Sequence, residues 1–304
     1  EIKYSINSMF AICIIYSLML LLNPNKRDEY LTSGGNYLNM SLPIGLVLTI
    51  FLTRAICSFF FKNSIRYKMT YICISIFLIY TVLIFPSRGA ILFPFGVAAL
   101  IVIVLGRKNF PRFIGMLFAG GIVIFAVSQY FLHTASGYNL QHMLKLFQDI
   151  RSEDRIIIWK EYIDYVITHR WFLIGGGANS SITKLGFYPH NLYLQFIGEF
   201  GILGITFSVL ATGRIIREEL ITLSEILKKS NFEDDSIVLF FDCASGLLYL
   251  FLTFMKSFSI YDACMLMIFC AFTLNVCQAC TDRIVNGRKE TLNGRNLIKH
   301  CNSN

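Results

Sequence analysis

Apolar stretches of about twenty residues, nearly free of charge, recur along this chain and restrict its fold more than any other feature, because that length crosses the roughly 30 Å of hydrocarbon in a bilayer. A chain with 55% hydrophobic residues, 15% charged residues, 28 Phe and a mean hydropathy of +0.58 has too little polar surface to cover itself in water. Inside lipid every backbone amide must be paired within the segment, so the stretches are helices. The expected spans lie near residues 4–22, 38–60, 69–85, 90–105, 113–132, 190–213, 237–255 and 259–278. The chain opens on Glu1 rather than Met and shows no cleavable signal pattern, which leaves room for further spans upstream.

Basic residues in short loops mark the cytoplasmic side. Lys62, Arg66 and Lys68 fall in one loop, Arg107, Lys108 and Arg112 in the next alternate one, and Arg214, Arg217, Lys228 and Lys229 in the one after. Arg283, Arg288, Lys289, Arg295 and Lys299 follow the last span. All are inside if the first span starts inside. The formal net charge of +8 is then a topology signal, and nucleic acid is not an expected partner. Cys13, Cys57, Cys73, Cys243, Cys264, Cys270, Cys277, Cys280 and Cys301 all avoid the external segments, which fits an oxidising exterior. The single CxxC at Cys277 and Cys280 reads as helix packing, since one pair is half of a typical thiolate metal site.

The outside then holds residues 23–36, a short turn at 86–89 and one long stretch, 133–189. That stretch mixes Lys145, Arg151, Arg155, Lys160, Arg170 and Lys184 with Asp149, Glu153, Asp154, Glu161 and Asp164. Apolar residues at Met143, Leu144, Phe147 and Ile150, then at Ile156, Ile157, Tyr162, Ile163 and Val166, recur at the spacing of amphipathic helices able to lie on a membrane surface. Gly175, Gly176 and Gly177 form a helix stop. The expected order is about five transmembrane helices over 1–132, an external loop domain over 133–189, about three more transmembrane helices over 190–278, and a basic cytoplasmic tail over 279–304. The charged loop 214–235 reads as a short solvated helix.

Three groups of polar residues share the external level: Ser87, Arg88 and Gly89 between two spans, Arg151 and Arg155 in the long loop, and His190 with Asn191 at the mouth of a span. Arginines there run against the positive-inside bias. An anionic partner such as a pyrophosphate gives them a reason to be there, because guanidinium pairs phosphate oxygens through two charge-assisted hydrogen bonds. Two blander accounts stand beside it: an arginine at a helix end snorkels to ordinary phospholipid, and Arg155 has Glu153 and Asp154 as neighbours. Imidazole exchanges protons near neutral pH, and Asn191 adjoins His190 as an orienting group. If a helix begins at His190, Gly201 falls within about 20° of the same face, Gly204 lies close to it, and Glu199 points to the opposite side toward an unidentified bundle partner. Arg54, Asp242, Lys256 and Asp262 are the other main charges within or at the ends of spans.

The strings SRGAILFPF from Ser87, RIIIWKEYIDYVITHRWFLIGGG from Arg155, and PHN at 189–191 followed after nine residues by GILG, in this order, resemble the O-antigen polymerase and O-antigen ligase superfamily over roughly residues 70–210. The resemblance implies an all-α polytopic membrane protein with a GT-C-like helical bundle and one large periplasmic loop carrying amphipathic helices. It also implies a metal-independent, inverting glycosyltransferase of the bacterial inner membrane, without cofactor, whose active site faces the periplasm. The implied donor is an undecaprenyl-pyrophosphate-linked oligosaccharide, with membrane lipids around it and a chain-length regulator as a further candidate partner. Arg88 and Arg155 stand where the family's arginines hold the pyrophosphate, and His190 where its histidine activates the acceptor or meets the pyrophosphate. Arg151, Asn191, Ser87, Trp159, Arg170 and Tyr188 complete the candidate substrate-binding set. No DxD pair lies in the external segments. The PHNLYLQFIGEFGILG segment with the preceding RxxxW and GGG favours polymerase over ligase. The rival class is a lipid-linked oligosaccharide flippase, which would line a central cavity with charges inside its spans; a structural membrane subunit is the third reading.

Overall fold

The computed structural model describes residues 2–23, 37–60, 64–83, 88–107, 154–228, 235–256 and 263–301, with scattered positions between 110 and 129. All regular structure among the described residues is helical. The helices are α1 (Ile2–Leu22), α2 (Tyr37–Phe60), α3 (Ile65–Leu83), α4 (Arg88–Gly106), α5 (Asp154–Thr168), α6 (Trp171–Ile174), α7 (Ser180–Leu185), α8 (Leu192–Lys228), α9 (Asp235–Phe254) and α10 (Cys264–Cys301). Seven of them, α1 to α4 and α8 to α10, are long and apolar enough to cross a membrane. The protein is thus an all-α, polytopic membrane protein. Seven of the eight spans expected from the sequence have such a helix; the expected span at 113–132 falls mostly outside the described residues.

Helices α2 and α9 form the centre, with 67% of each span buried against 22% for α1 and α3. Helices α3 and α4 pack on α2, and α10 packs on both α9 and α8. Contact between α2 and α9 is close because Gly45 offers no side chain: the ring of Tyr249 lies against it, and Tyr249 Oη donates to Leu42 O at 3.3 Å. Gly246 receives Phe269 of α10 in the same manner. Small residues at such crossings let helices approach where lipid supplies no hydrophobic drive. Hydroxyls within the spans bond back to their own helix, as Thr49 Oγ1 does to Gly45 O at 2.7 Å and Thr53 Oγ1 to Thr49 O at 2.8 Å. Cys277 and Cys280 are buried where α10 meets its neighbours, and Cys280 Sγ donates to Ser236 O of α9 at 3.2 Å.

Two of the span charges neutralise each other. Arg54 of α2 donates from Nε and Nη2 to Asp242 Oδ2 of α9, at 2.9 and 2.7 Å, with its guanidinium 4.7 Å above the Phe10 ring of α1. This pair ties three helices together at the end of the bundle where α9 begins. Removing one partner would leave the other charge buried and unpaired, which costs about 3–5 kcal/mol.

Two long helices depart from the sequence expectation. The charged segment after residue 213 is not a separate helix, since α8 runs on through Lys228. Residues 279–301, within the stretch expected as a basic tail, continue α10 as helix. In α8, strong helix formers such as Glu, Leu and Lys after residue 213 carry the helix past the apolar stretch.

Candidate functional site

The candidate residues are positioned by what the segment 154–191 does at the mouth of α8. Arg155 and Trp159 lie one turn apart on α5, so they share a face. Arg155 Nη1 donates to the carbonyl of Lys256, just past α9, and Trp159 Nε1 donates to Pro189 O at 2.7 Å. One face of α5 therefore grips both the end of α9 and the turn that precedes α8. Further along the same helix Tyr162 and Val166 are buried against Trp171.

Helix α8 does not begin at His190. It begins at Leu192, capped by Asn191, whose Oδ1 accepts from the backbone N–H groups of Tyr193 and Leu194 at 3.1 Å each. Asn191 Nδ2 donates to Met255 O at 3.1 Å. One side chain thus serves orphan donors at the start of α8 and an orphan acceptor at the end of α9. His190, just before the cap, has φ 52°, a left-handed conformation in which histidine is tolerated better than bulkier residues. Its ring stands 4.2 Å from that of Tyr188, tilted by 48°. We expect Asn191→Ala to destabilise the protein by about 1–2 kcal/mol through the lost cap, read as a lower thermal midpoint in detergent. Asn191→Asp, which keeps Oδ1 and loses the Nδ2 donor, should lose less.

Helix α8 is also not continuous in phase. Gly201 has φ 64° and ψ −152°, a break that voids the expected alignment of His190 with Gly201 and Gly204. Its bare face meets the loop after α6: a Cβ there would stand 2.6 Å from Gly175 N and 2.7 Å from Leu173 O. Gly176 N donates to Gly198 O at 2.8 Å and Gly177 N to Glu199 O at 3.0 Å, so the triple-glycine run is bonded to the backbone of α8. Glu199 is bonded both to the segment that follows this glycine run and to its own helix. Ser181 Oγ and Gln195 Nε2 both donate to Glu199 Oε1 at 3.0 Å, and Asn179 N donates to Oε2 at 3.2 Å. Tyr162 Oη lies 2.9 Å from Ser181 Oγ, which extends the network back to α5. Buried polar groups satisfied in this way fix one arrangement.

The structure brings Arg155, Trp159, Tyr188, His190 and Asn191 together around the C-terminal end of α9. Helix α4 opens with Arg88, whose side chain lies outside the described part, as do Ser87 and Arg151 entirely. Arg170 is not brought to the group: it follows the far end of α5, about 20 Å along the helix from Arg155. Lys256 belongs to the group although its position among the span charges concealed it. Its ammonium lies 6.0 Å from the ring centre of Phe93, which stands in α4 shortly after Arg88. Like Arg88, Lys256 is a cation at the end of a span. Among the described residues no three His, Cys, Asp or Glu side chains stand close enough to share a metal ion.

Neither the curated proteins nor the solved structures gave a match to this chain. A protein-family model described as O-antigen ligase matches residues 73–209, from α3 through α4 and the helices α5 to α7 to the kinked part of α8. The matched stretch contains the SRG, RxxxW, GGG and HN motifs in order, with every helix that carries them. Over residues 73–209, somewhat under half of its length, the chain is thus similar to the O-antigen ligase family.

Proposed function

We propose that this protein is a polymerase of O-antigen or a related surface polysaccharide, transferring glycan from an undecaprenyl-pyrophosphate donor to a sugar hydroxyl of a second lipid-linked repeat unit. The observation that carries the reading is the convergence of Arg155, His190 and Asn191 at one end of a membrane bundle, beside the helix that Arg88 opens. In the reaction the acceptor hydroxyl oxygen attacks the anomeric carbon and the bond from that carbon to the pyrophosphate breaks. The electron pair leaves on the pyrophosphate and the hydroxyl proton passes to the His190 imidazole. A single displacement of this kind inverts the anomeric centre. Preorganised guanidinium groups stabilise the charge that develops on the leaving pyrophosphate, so the scheme requires no metal. The site faces the periplasm of a bacterial inner membrane if the Lys and Arg rule sets the orientation.

The second reading, an O-antigen ligase that transfers the finished chain to lipid A core, is favoured by the description of the matching family. Loss of a polymerase leaves core bearing one repeat unit, whereas loss of a ligase leaves bare core with polymer on the lipid carrier. A flippase is disfavoured by the fate of the span charges, because Arg54 and Asp242 pair with each other and Glu199 is bonded by Ser181 and Gln195.

The test is reconstitution with a purified lipid-linked repeat unit. His190→Ala should lower product formation by about 10²–10⁴-fold, the size of a general-base contribution, while the protein still inserts and binds donor. Products of unchanged amount and length would remove His190 from the reaction.

A further inference from the structure

Helix α6 turns its first residue into the protein and the rest out of it. Trp171 is buried against Tyr162 and Val166, whereas Phe172, Leu173 and Ile174 are exposed, Ile174 by 87%. Adjacent large apolar side chains laid open in this way mark a surface that meets something other than water. The position of α6 says what that is. Its end lies on α8 at Gly201, where the bare Cα lets Leu173 O and Ile174 C approach, and the glycine run that follows is bonded to Gly198 O and Glu199 O. These contacts fall roughly two turns, about 9–14 Å, along a candidate membrane span from its first residue. From the same part of α8, Phe200, Ile202, Leu203 and Phe207 are exposed. The open face of α6 therefore continues the face that α8 shows to lipid.

The charges of the segment agree with this seating. On α5, Ile156, Ile163 and Ile167 form a second exposed apolar strip, within about 40° of one another round the helix. Lys160 stands at the edge of that strip, and Asp164 and Glu161 stand about 80–140° beyond its middle. Apolar, then basic, then acidic is the order of faces on a helix at a lipid interface, where the cation meets headgroup phosphates and the carboxylates face water. Tyr162 and Val166, which marked α5 as amphipathic, are buried in protein, so lipid contact falls to their neighbours.

We propose that Phe172, Leu173 and Ile174 of α6 are an anchor seated among phospholipid acyl chains, in the leaflet nearest the candidate site. The segment 154–191 is then fixed to the bilayer as well as to α8. Because α5 runs from Arg155 to the neighbourhood of this anchor, the anchor also sets the height of Arg155 relative to the headgroups. The proposal stands on packing and exposure alone and does not depend on the glycosyl-transfer reading.

The experiment places the photocrosslinking residue p-benzoyl-phenylalanine at Ile174 of the full chain in nanodiscs of phosphatidylethanolamine and phosphatidylglycerol, and identifies the adducts by mass spectrometry. The same residue at Leu203 is the lipid-facing control, and at Asp164 the water-facing one. Phospholipid adducts are expected at position 174 in a yield close to that at 203, with background alone at 164. Should the change at Ile174 lower the thermal midpoint, the crosslinker at Phe172, which alters the side chain less, carries the same expectation. Adducts from position 174 to a second copy of the chain, or to another segment of the same chain, overturn the anchor. Lipid capture at 174 no greater than at 164 overturns it as well.

Discussion

Arg155→Ala is expected to lower glycan transfer by at least about 100-fold, the loss seen when one preorganised donor to a developing negative charge is removed. The guanidinium is the part of α5 that reaches across to α9, donating to the carbonyl of Lys256. Its removal therefore takes a positive charge from the candidate site and also leaves a helix-end carbonyl without that donor. Arg155→Lys should not rescue transfer, because an ammonium cannot hold the carbonyl and pair a phosphate through a planar fork at the same time. The two consequences separate by measurement. Stability loss from one hydrogen bond is about 0.5–1.5 kcal/mol, readable as a small drop in thermal midpoint, whereas the loss of turnover is orders of magnitude larger. Transfer within tenfold of wild type in Arg155→Ala would mean that the residue only fastens α5 to α9.

Gly201→Ala should be strongly damaging, because the added methyl group has neither an allowed backbone conformation nor space. With φ 64° and ψ −152°, Gly201 occupies a region essentially closed to residues with a Cβ, at a cost of about 1–3 kcal/mol. The new Cβ would also meet Gly175 N and Leu173 O well inside van der Waals contact, so α6 must move off α8 or the kink must straighten. Either change strains the hydrogen bonds from Gly176 N to Gly198 O and from Gly177 N to Glu199 O, together with the contact of Tyr162 on Gly198. Because α5 carries Arg155 and is tied to this region through Tyr162 and Ser181, the displacement reaches the candidate site. Gly213 is the control: it lies in the same helix with open space where its Cβ would be, and Gly213→Ala should be neutral or stabilising by up to about 1 kcal/mol. Equal midpoints and equal turnover for Gly201→Ala and Gly213→Ala would contradict the kink and the loop packing it permits.

Much of the bundle is legible in the sequence because a spanning helix is a one-dimensional object. Length and apolarity alone mark it, as they do for 38–60 and 237–255, which became the central helices α2 and α9. Amphipathic spacing likewise marks α5, where Tyr162 and Val166 turned out to be the buried face. The bonds that build the site are of another kind. Arg155 to Lys256, Asn191 to Met255 and Trp159 to Pro189 join positions far apart in the chain, and no local periodicity encodes which carbonyl a side chain will reach. Helical phase failed at Gly201 because the extrapolation from His190 assumed one unbroken helix, whereas α8 starts two residues later and kinks. Glu199 is buried as its place in the span implies, but the bonds it accepts from Ser181, Gln195 and a loop amide come from groups that carry no charge to advertise the pairing. Lys256 was visible to the charge-sidedness argument, and only its position at a span end obscured it.

The account depends on cations gathered at the C-terminal end of α9 gripping a lipid-linked diphosphate. A cryo-EM map of the protein in nanodiscs with undecaprenyl pyrophosphate bound tests this most directly. The account predicts diphosphate density within hydrogen-bonding distance of Arg155 and beside His190, at the end of the bundle where Asn191 caps α8. Density at the opposite end, near Arg54 and Asp242, or a diphosphate remote from Arg155 and His190, would contradict it.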